Sequence, residues 1–118
     1  PAPINYGIVF RRKDMQQPIE IPALTEYVGD TRLCTSLHKD NVQIATVEHI
    51  LSALAGLGID NVQIELDGPE VPIMDGSAWQ YAFLLQSAGI VEQDAPKRFI
   101  RIKERVEIKV EDKWAALE

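Results

Sequence analysis

Glu48 and His49 are adjacent residues whose side chains could do hydrolytic chemistry together. A carboxylate can act as a general base toward water, and an imidazole can ligate a metal ion that polarises the bond to be hydrolysed. On a helix, neighbouring side chains point about 100° apart, so the pair would flank a point above the first turn. The positive end of the helix dipole favours an anion there. The alternative interpretation is that Glu48 only favours a first helical turn and that His49 lies on the surface.

A second metal hypothesis uses Cys34, His38 and His49, the only thiol and imidazole groups of the chain. Cys34 and His38 lie four residues apart on a predicted hairpin strand, and hence on one face of it if the strand continues that far. Three such ligands would suffice for a catalytic zinc ion. The alternative is that Cys34 is a half-buried thiol and that His38 belongs to a polar turn.

Two further residues could contribute to a site. Asp75 could orient a catalytic group, although an Asp-Gly pair more often makes a turn. Trp79 could stack on a ligand or lie at an interface. The sequence contains neither a Gly-rich phosphate loop with a lysine nor a serine in a Gly-x-Ser-x-Gly setting.

Two helices are predicted to hold these groups. The first begins at Thr46, whose hydroxyl could cap it, and ends at Gly56 and Gly58. Its apolar residues recur at helical spacing: Val47, Ile50, Leu51, Leu54 and Leu57. The second begins at Ser77 with a capping box to Gln80 and ends at Gly89. Its predicted apolar stripe consists of Tyr81, Leu84, Leu85 and Ala88.

Alternating apolar and polar residues, and at 7–11 a run of β-branched and aromatic residues, predict strands around these helices. The predicted strands are 7–11, 19–23, 32–37, 42–44, 61–66, 99–102, 106–110 and 114–117, with a short strand and turn at 25–30. Residues 32–44 form a predicted hairpin with a polar tip at 38–41. The predicted fold is α+β, a two-layer sandwich with both helices on one face of a mixed sheet and a small hairpin insert. We expect truncation at both ends, because the last strand has no evident partner and a proline-containing lead-in precedes the first.

Composition limits the possible functions. A length of 118 residues predicts one domain, and 46% hydrophobic with 25% charged residues is typical of a globular one. The net charge of -6 argues against nucleic-acid binding, which needs a basic face. No apolar run reaches the roughly 20 residues of a transmembrane helix. The single cysteine excludes a disulfide within the chain.

Four blocks of sequence, taken together and in order, resemble the first domain of the bacterial UDP-3-O-acyl-N-acetylglucosamine deacetylase family (LpxC). The blocks are Thr46–His49, Ala55–Asn61, Glu70–Ala78 and Phe99–Lys103. The resemblance extends over nearly the whole chain and does not depend on Glu48 and His49 alone. It implies a cytoplasmic, zinc-dependent amidase of lipid A biosynthesis that removes acetate from the nitrogen of an acylated UDP-glucosamine.

The resemblance also implies roles for single residues. The family folds as two similar α+β domains with the active site between them. Matching positions make His49 a zinc ligand and Glu48 the general base. Leu33 and Cys34 fall on the strand that borders the acyl-chain passage in this family. Arg32 departs from the apolar residue expected beside them.

On this basis we expect residues 1–118 to be a partial N-terminal domain of a two-domain, monomeric deacetylase. The hairpin insert would span about residues 19–44, and the second domain would be absent. That domain would supply the other zinc ligands and the general acid, so the chain alone should be inactive and bind zinc weakly or not at all. Two alternatives are a non-catalytic domain that kept the fold and a self-assembling domain with exposed strand edges.

Overall fold

Strand β1 lies at the centre of the main sheet in the computed structural model, which describes residues 1–118. The elements in chain order are β1 Ile8–Arg12, β2 Ile19–Pro22, a 3-10 turn Thr25–Tyr27, β3 Leu37–Lys39, β4 Val42–Ile44, α1 Glu48–Gly56, β5 Val62–Leu66, α2 Trp79–Ala88, β6 Val106–Val110 and β7 Lys113–Leu117.

The main sheet is mixed and has the strand order β2-β1-β5. β1 runs antiparallel to β2 and parallel to β5, so Phe10 faces Ile21 on one side and Ile64 on the other. Pro22 ends the edge strand β2, where its missing N–H does not interrupt the sheet. Phe10 and Ile21 are fully buried, which makes this row the centre of the core.

Both helices contribute to the core that contains this row. Ala53 of α1 and Tyr81 of α2 belong to the same buried cluster as Phe10. The predicted α+β class with two helices and a mixed sheet is confirmed. The predicted stripe of α2 is partly wrong, because Leu84 is 54% exposed. Tyr81, Ala82 and Leu85 of this helix do pack on the core, together with Ala78, which immediately precedes it.

Neither predicted helix cap forms as expected. α1 begins at Glu48 after Val47, and the Thr46 hydroxyl donates to Glu70 Oε1 at 2.7 Å instead of capping the helix. α2 begins at Trp79 after Ala78. Ser77 lies two residues before the helix, where its hydroxyl accepts the N–H of Trp79 at 3.3 Å and donates to Asp75 Oδ1 at 2.8 Å, so it still satisfies the first N–H of α2. In both places the hydroxyl also donates to an acidic side chain outside the helix.

The predicted hairpin is shorter than expected. β3 and β4 pair from Leu37 with Ile44 to Lys39 with Val42, so His38 lies in a strand and not at the tip. Residues 32–36 form a loop, because Ser36 bonds back to Asp30 and not to a neighbouring strand. In place of the short strand predicted within 25–30, Thr25–Tyr27 is a 3-10 turn and Val28 forms a single bridge to Leu37.

The C-terminal segment differs from the rest of the chain. The strand predicted at 99–102 is not formed, and Phe99 and Ile100 are 81% and 94% exposed. β6 and β7 do form, and they pair antiparallel with each other alone. The final strand therefore has a partner within the chain, contrary to expectation. None of the helices has the length and apolar character needed to cross a membrane.

Candidate active site

Glu48 and His49 occupy the first turn of α1, where the sequence places them. Both side chains are half-buried. Val47, just before them, is fully buried and fixes this end of the helix to the core. The pair therefore lies on a rigid element, at the end of the helix where free N–H groups favour negative charge.

A backbone contact holds the Glu48 carboxylate. The N–H of Thr35 donates to Glu48 Oε2 at 3.0 Å, and the C=O of Thr35 accepts the N–H of Val47 at 3.1 Å. Both polar backbone groups of Thr35 thus face the start of α1. A hydrogen bond to a charged carboxylate is among the stronger kinds in proteins, so Glu48 has a defined orientation.

The loop that carries Thr35 is closed at its base. The Ser36 hydroxyl and N–H both donate to the C=O of Asp30, at 2.7 and 3.1 Å, and Ser36 is fully buried. The Arg32 side chain donates to the Asp30 carboxylate at 2.6 to 3.1 Å. These bonds, with the backbone N–H of Arg32, lower the pKa of Asp30. The loop is therefore a locally bonded unit and not a free segment.

Leu33 and Cys34 lie in this loop, immediately before Thr35. The Leu33 side chain is fully exposed, and Cys34 is half-buried. Together with Asp30, Arg32 and Gln43 they line a hollow of about 470 Å³. Arg32, which departs from the expected apolar residue, is held at this hollow by its ion pair with Asp30 at 2.6 Å.

The second metal hypothesis is wrong. No group of three His, Cys, Asp or Glu side chains in the chain lies close enough together to hold a metal ion. The Nε2 atom of His38 lies 3.0 Å from the Ser36 hydroxyl, and the imidazole packs against Gly29, where a Cβ would be 2.1 Å from His38 Cδ2. His38 therefore serves to pack the base of the loop.

Asp75 and Trp79 lie just before and at the start of α2, away from the pair Glu48 and His49 in sequence. Asp75 Oδ1 accepts the N–H and the hydroxyl of Ser77, at 3.0 and 2.8 Å, and these two bonds lower the pKa of Asp75. This is a side-chain turn that leads into α2. Trp79 is 67% exposed and lines a groove between α1 and α2.

Sequence reasoning missed Thr35 and Glu70. Thr35 precedes Glu48 by 13 residues, and Glu70 follows Thr46 by 24 residues. Neither local spacing nor residue type indicates such contacts, and the contact of Thr35 uses only its backbone. The fold alone brings these residues to the first turn of α1.

The comparison with known proteins agrees with the resemblance of the sequence blocks. The family model described as UDP-3-O-acyl N-acetylglycosamine deacetylase (LpxC) matches residues 1–118. The deacetylase of that name from Thioalkalivibrio sulfidiphilus is 60% identical over 118 residues, which cover 100% of this chain and 39% of that protein. The one from Legionella pneumophila is 61% identical over 114 residues, covering 97% and 38%.

The corresponding deacetylase from Coxiella burnetii is 59% identical over 118 residues, covering 100% of this chain and 39% of that protein. The chain thus spans about 39% of the length of the curated relatives it matches. Because the family model covers every residue described above, the chain belongs to the UDP-3-O-acyl N-acetylglycosamine deacetylase (LpxC) family.

Proposed function

We propose that this chain supplies one wall of the active site of a zinc-dependent deacetylase. The reaction is hydrolysis of the acetamide of UDP-3-O-(3-hydroxyacyl)-N-acetylglucosamine in lipid A biosynthesis. Glu48 is the general base and His49 is a zinc ligand. The observation that supports these roles is the Glu48 carboxylate held by the Thr35 N–H at the start of α1, beside the His49 imidazole.

The imidazole of His49 is a suitable zinc ligand, but one ligand is too few to hold a catalytic zinc ion. Imidazole is a common zinc ligand, and a catalytic zinc ion has three protein ligands and one open position. In this proposal the remaining ligands would come from a region of the whole protein that this chain does not span, because the chain has no group of three potential ligands and covers 39% of its relative. Zinc bound there would polarise the amide carbonyl. Glu48 would take the proton of the attacking water.

The hollow beside the loop is the proposed entry to the acyl passage. Leu33 exposes its whole side chain beside Cys34, and such an apolar surface suits a fatty acyl chain. Arg32, fixed by Asp30, gives this entry a charged rim. The acyl group of the substrate would pass along this rim while its acetamide lies near Glu48.

The whole protein is proposed to be a monomeric, cytoplasmic, two-domain enzyme. Residues 1–118 would form most of its N-terminal domain, with a hairpin insert at about 19–44 and a second domain elsewhere in the protein. The chain has a net charge of -6, which is unfavourable for binding a diphosphate. In this proposal the cationic residues that contact the diphosphate would come from the second domain.

A hybrid protein tests the assignment of Glu48. This chain replaces the matching 39% of the Thioalkalivibrio sulfidiphilus deacetylase, to which it is 60% identical. We expect Glu48→Gln to lower the deacetylation rate about 10²- to 10⁴-fold, because general-base catalysis contributes that much. Glu92→Gln, a change at an exposed carboxylate, is the control. Full activity of the Glu48→Gln hybrid would refute the proposed mechanism.

Zinc binding tests the assignment of His49. We expect His49→Ala to reduce the zinc content of the hybrid, measured by atomic absorption after dialysis, while His38→Ala leaves it unchanged. The 118-residue chain alone should show neither deacetylation nor tight zinc binding in calorimetry. Tight one-to-one binding by the chain alone would contradict a divided site.

One observation favours a second candidate function, self-assembly. The hairpin of β6 and β7 exposes apolar side chains along both strands: Val106, Ile108, Val110, Trp114 and Leu117. Such a surface can pair with a second copy of the chain. Light scattering of the 118-residue chain over a range of concentrations tests self-assembly, since a constant monomer mass at all concentrations would exclude it.

A further inference from the structure

Thr46 has an unusual backbone conformation for its residue type. Its φ is 60°, in the left-handed region, and its side chain is buried. A β-branched residue rarely adopts such an angle, because its side chain crowds the backbone there. Residues held in sparsely populated conformations persist only where the surrounding structure fixes them, and they are frequent at functional sites.

The surrounding contacts of Thr46 come from the segment before α2. The Thr46 hydroxyl donates to Glu70 Oε1 at 2.7 Å. On either side of this bond, the N–H of Ala45 donates to the C=O of Pro69 at 2.9 Å, and the N–H of Val71 donates to the C=O of Ala45 at 3.0 Å. Val71 is almost completely buried, which anchors the segment to the core. Thr46 is thus held by its own side-chain bond to Glu70 and by the two backbone bonds of the preceding residue, Ala45.

The conformation of Thr46 determines how the chain enters α1. Val47 and Glu48 follow it directly, and Val47 has helical φ and ψ. The positive φ of Thr46 is therefore the turn that sets the direction of the first helical residues. If that turn relaxed, Glu48 would lose its alignment with the Thr35 N–H, and His49 would move with it.

We propose that Thr46 and Glu70 are a positioning pair for Glu48 and His49. The inference rests on the proposed function, because it assigns the pair a role in that same site. Glu70 holds the Thr46 hydroxyl through a charge-assisted hydrogen bond, and Thr46 holds the direction of the helix start. Neither residue acts on the substrate itself.

The exposure of Glu70 separates positioning from general stability. Its side chain is exposed, and substitutions of exposed residues usually change folding stability little. A displacement of about 1 Å in a catalytic group can nevertheless lower a rate about 10²-fold. A change at Glu70 that lowers kcat while the protein stays folded therefore indicates positioning.

The experiment uses the hybrid with the Thioalkalivibrio sulfidiphilus deacetylase and four variants. Thr46→Val removes the hydroxyl at constant shape, and Thr46→Ser keeps it. Glu70→Ala removes the acceptor, and Glu70→Gln keeps one acceptor oxygen. We expect Thr46→Val and Glu70→Ala each to lower kcat about 10- to 100-fold with KM little changed. Thr46→Ser and Glu70→Gln should retain most of the activity.

The double variant sharpens the test. If the two residues act only through each other, Thr46→Val with Glu70→Ala should be no slower than either single variant. Unchanged kcat in Glu70→Ala would overturn the inference, as would a fall in kcat matched by an equal loss of folded protein in circular dichroism. Activity of Glu48→Gln in the same hybrid separately reports on the proposed function, so the two failures are distinguishable. Should Thr46→Val fail to fold, the Glu70 variants decide the outcome.

Discussion

β1 and β6 are both strands of five residues with three apolar side chains each, yet they lie in opposite environments. Phe10 of β1 is fully buried between two neighbouring strands, whereas Ile108 of β6 is 65% exposed. β6 pairs with β7 along its whole length, but this hairpin makes hardly any contact with the other elements. Two strands can therefore pair when they are adjacent in sequence, but a strand becomes buried only when elements from distant parts of the chain pack against it.

The candidate active site belongs to the first kind of region. Its residues are held by contacts that span 13 to 24 positions of sequence, and they adjoin the buried residues Thr46 and Val47. The hairpin has only local contacts, and an isolated two-stranded hairpin is marginally stable in water. Contacts within the sheet and helices around Glu48 should therefore contribute most of the free energy of unfolding, and contacts within β6 and β7 should contribute little.

The largest expected effect comes from emptying the core. We expect Phe10→Ala to lower the free energy of unfolding by about 3–5 kcal/mol, because it removes a large buried side chain and leaves a cavity. The matched change Ile108→Ala should alter it by less than about 0.5 kcal/mol, since that side chain is already exposed. Urea unfolding followed by circular dichroism measures both. Comparable losses in the two variants would break the contrast between the regions.

A smaller effect is expected from the buried guanidinium of Arg12. Its side chain donates to both carboxylate oxygens of Asp14, at 2.7 and 2.6 Å, and to the C=O of Gln43 at 2.9 Å. Arg12 thus joins β1 to the hairpin of β3 and β4. We expect Arg12→Met, which keeps the aliphatic stem, to lower the free energy of unfolding by about 1.5–3 kcal/mol, the range for hydrogen bonds to charged groups.

The hairpin offers a control for this variant. Arg105 donates to Glu107 at 2.7 Å, but both side chains are about half exposed. Exposed ion pairs contribute little to stability, so Arg105→Met should change the free energy of unfolding by less than about 0.5 kcal/mol. An equal loss of unfolding free energy in the two variants would show that burial does not determine how much an ion pair stabilises the fold.

The same contrast explains how far the sequence predicts this structure. Local sequence pattern identified β1, β5, β6 and β7 correctly, through alternation in β5 and β6 and through β-branched and aromatic residues in β1. It also predicted a strand at 99–102, which is absent because no neighbouring strand pairs with it. Local pattern gives the type of an element, but the presence of a partner decides whether the element forms and which side is buried.

The candidate site was predictable in its residue types but not in its supports. Glu48 and His49 lie in the first turn of α1 as predicted, because the apolar spacing of the helix determines that position. Thr46 was predicted to be a cap, which is the usual role of a threonine before a helix. Its positive φ and its bond to Glu70 depend on a segment 24 residues later, which no local rule identifies.

A third prediction concerns the base of the loop beside Glu48. A Cβ on Gly29 would lie 2.1 Å from His38 Cδ2, so the imidazole must move and lose its contact with the Ser36 hydroxyl. We expect Gly29→Ala to lower the free energy of unfolding in urea by about 0.5–1.5 kcal/mol, which is the net contribution of one hydrogen bond. Gly68→Ala, where a Cβ would meet nothing within 4 Å, is the control.

A double variant isolates the cause of that loss. If the clash with His38 is responsible, His38→Ala should remove most of the additional cost of Gly29→Ala, because the new methyl group then has room. An unchanged cost in the His38→Ala background would place the effect in the backbone of Gly29 and not in the imidazole.

The smallest expected effect is a dependence of stability on pH at Asp14. The hydrogen bonds from Arg12 lower the pKa of Asp14 from its ordinary value of 3.8. A carboxyl group with a lower pKa in the folded state stabilises that state above its unfolded pKa, and the contribution is lost as the pH falls through the folded pKa. Asp14→Asn should therefore be less stable than the unmodified chain at neutral pH, and the difference should shrink at about pH 3.

Urea unfolding at both pH values measures this difference, with Glu107→Gln in the β6–β7 hairpin as the matched control. Because that hairpin contributes little to the free energy of global unfolding, Glu107→Gln should differ from the unmodified chain by the same small amount at each pH. A constant difference for Asp14→Asn would mean that the ion pair of Arg12 and Asp14 does not stabilise β1. A pH-dependent difference for Glu107→Gln would mean that the hairpin is coupled to the core, and the division of the molecule into a buried site region and an independent hairpin would then fail.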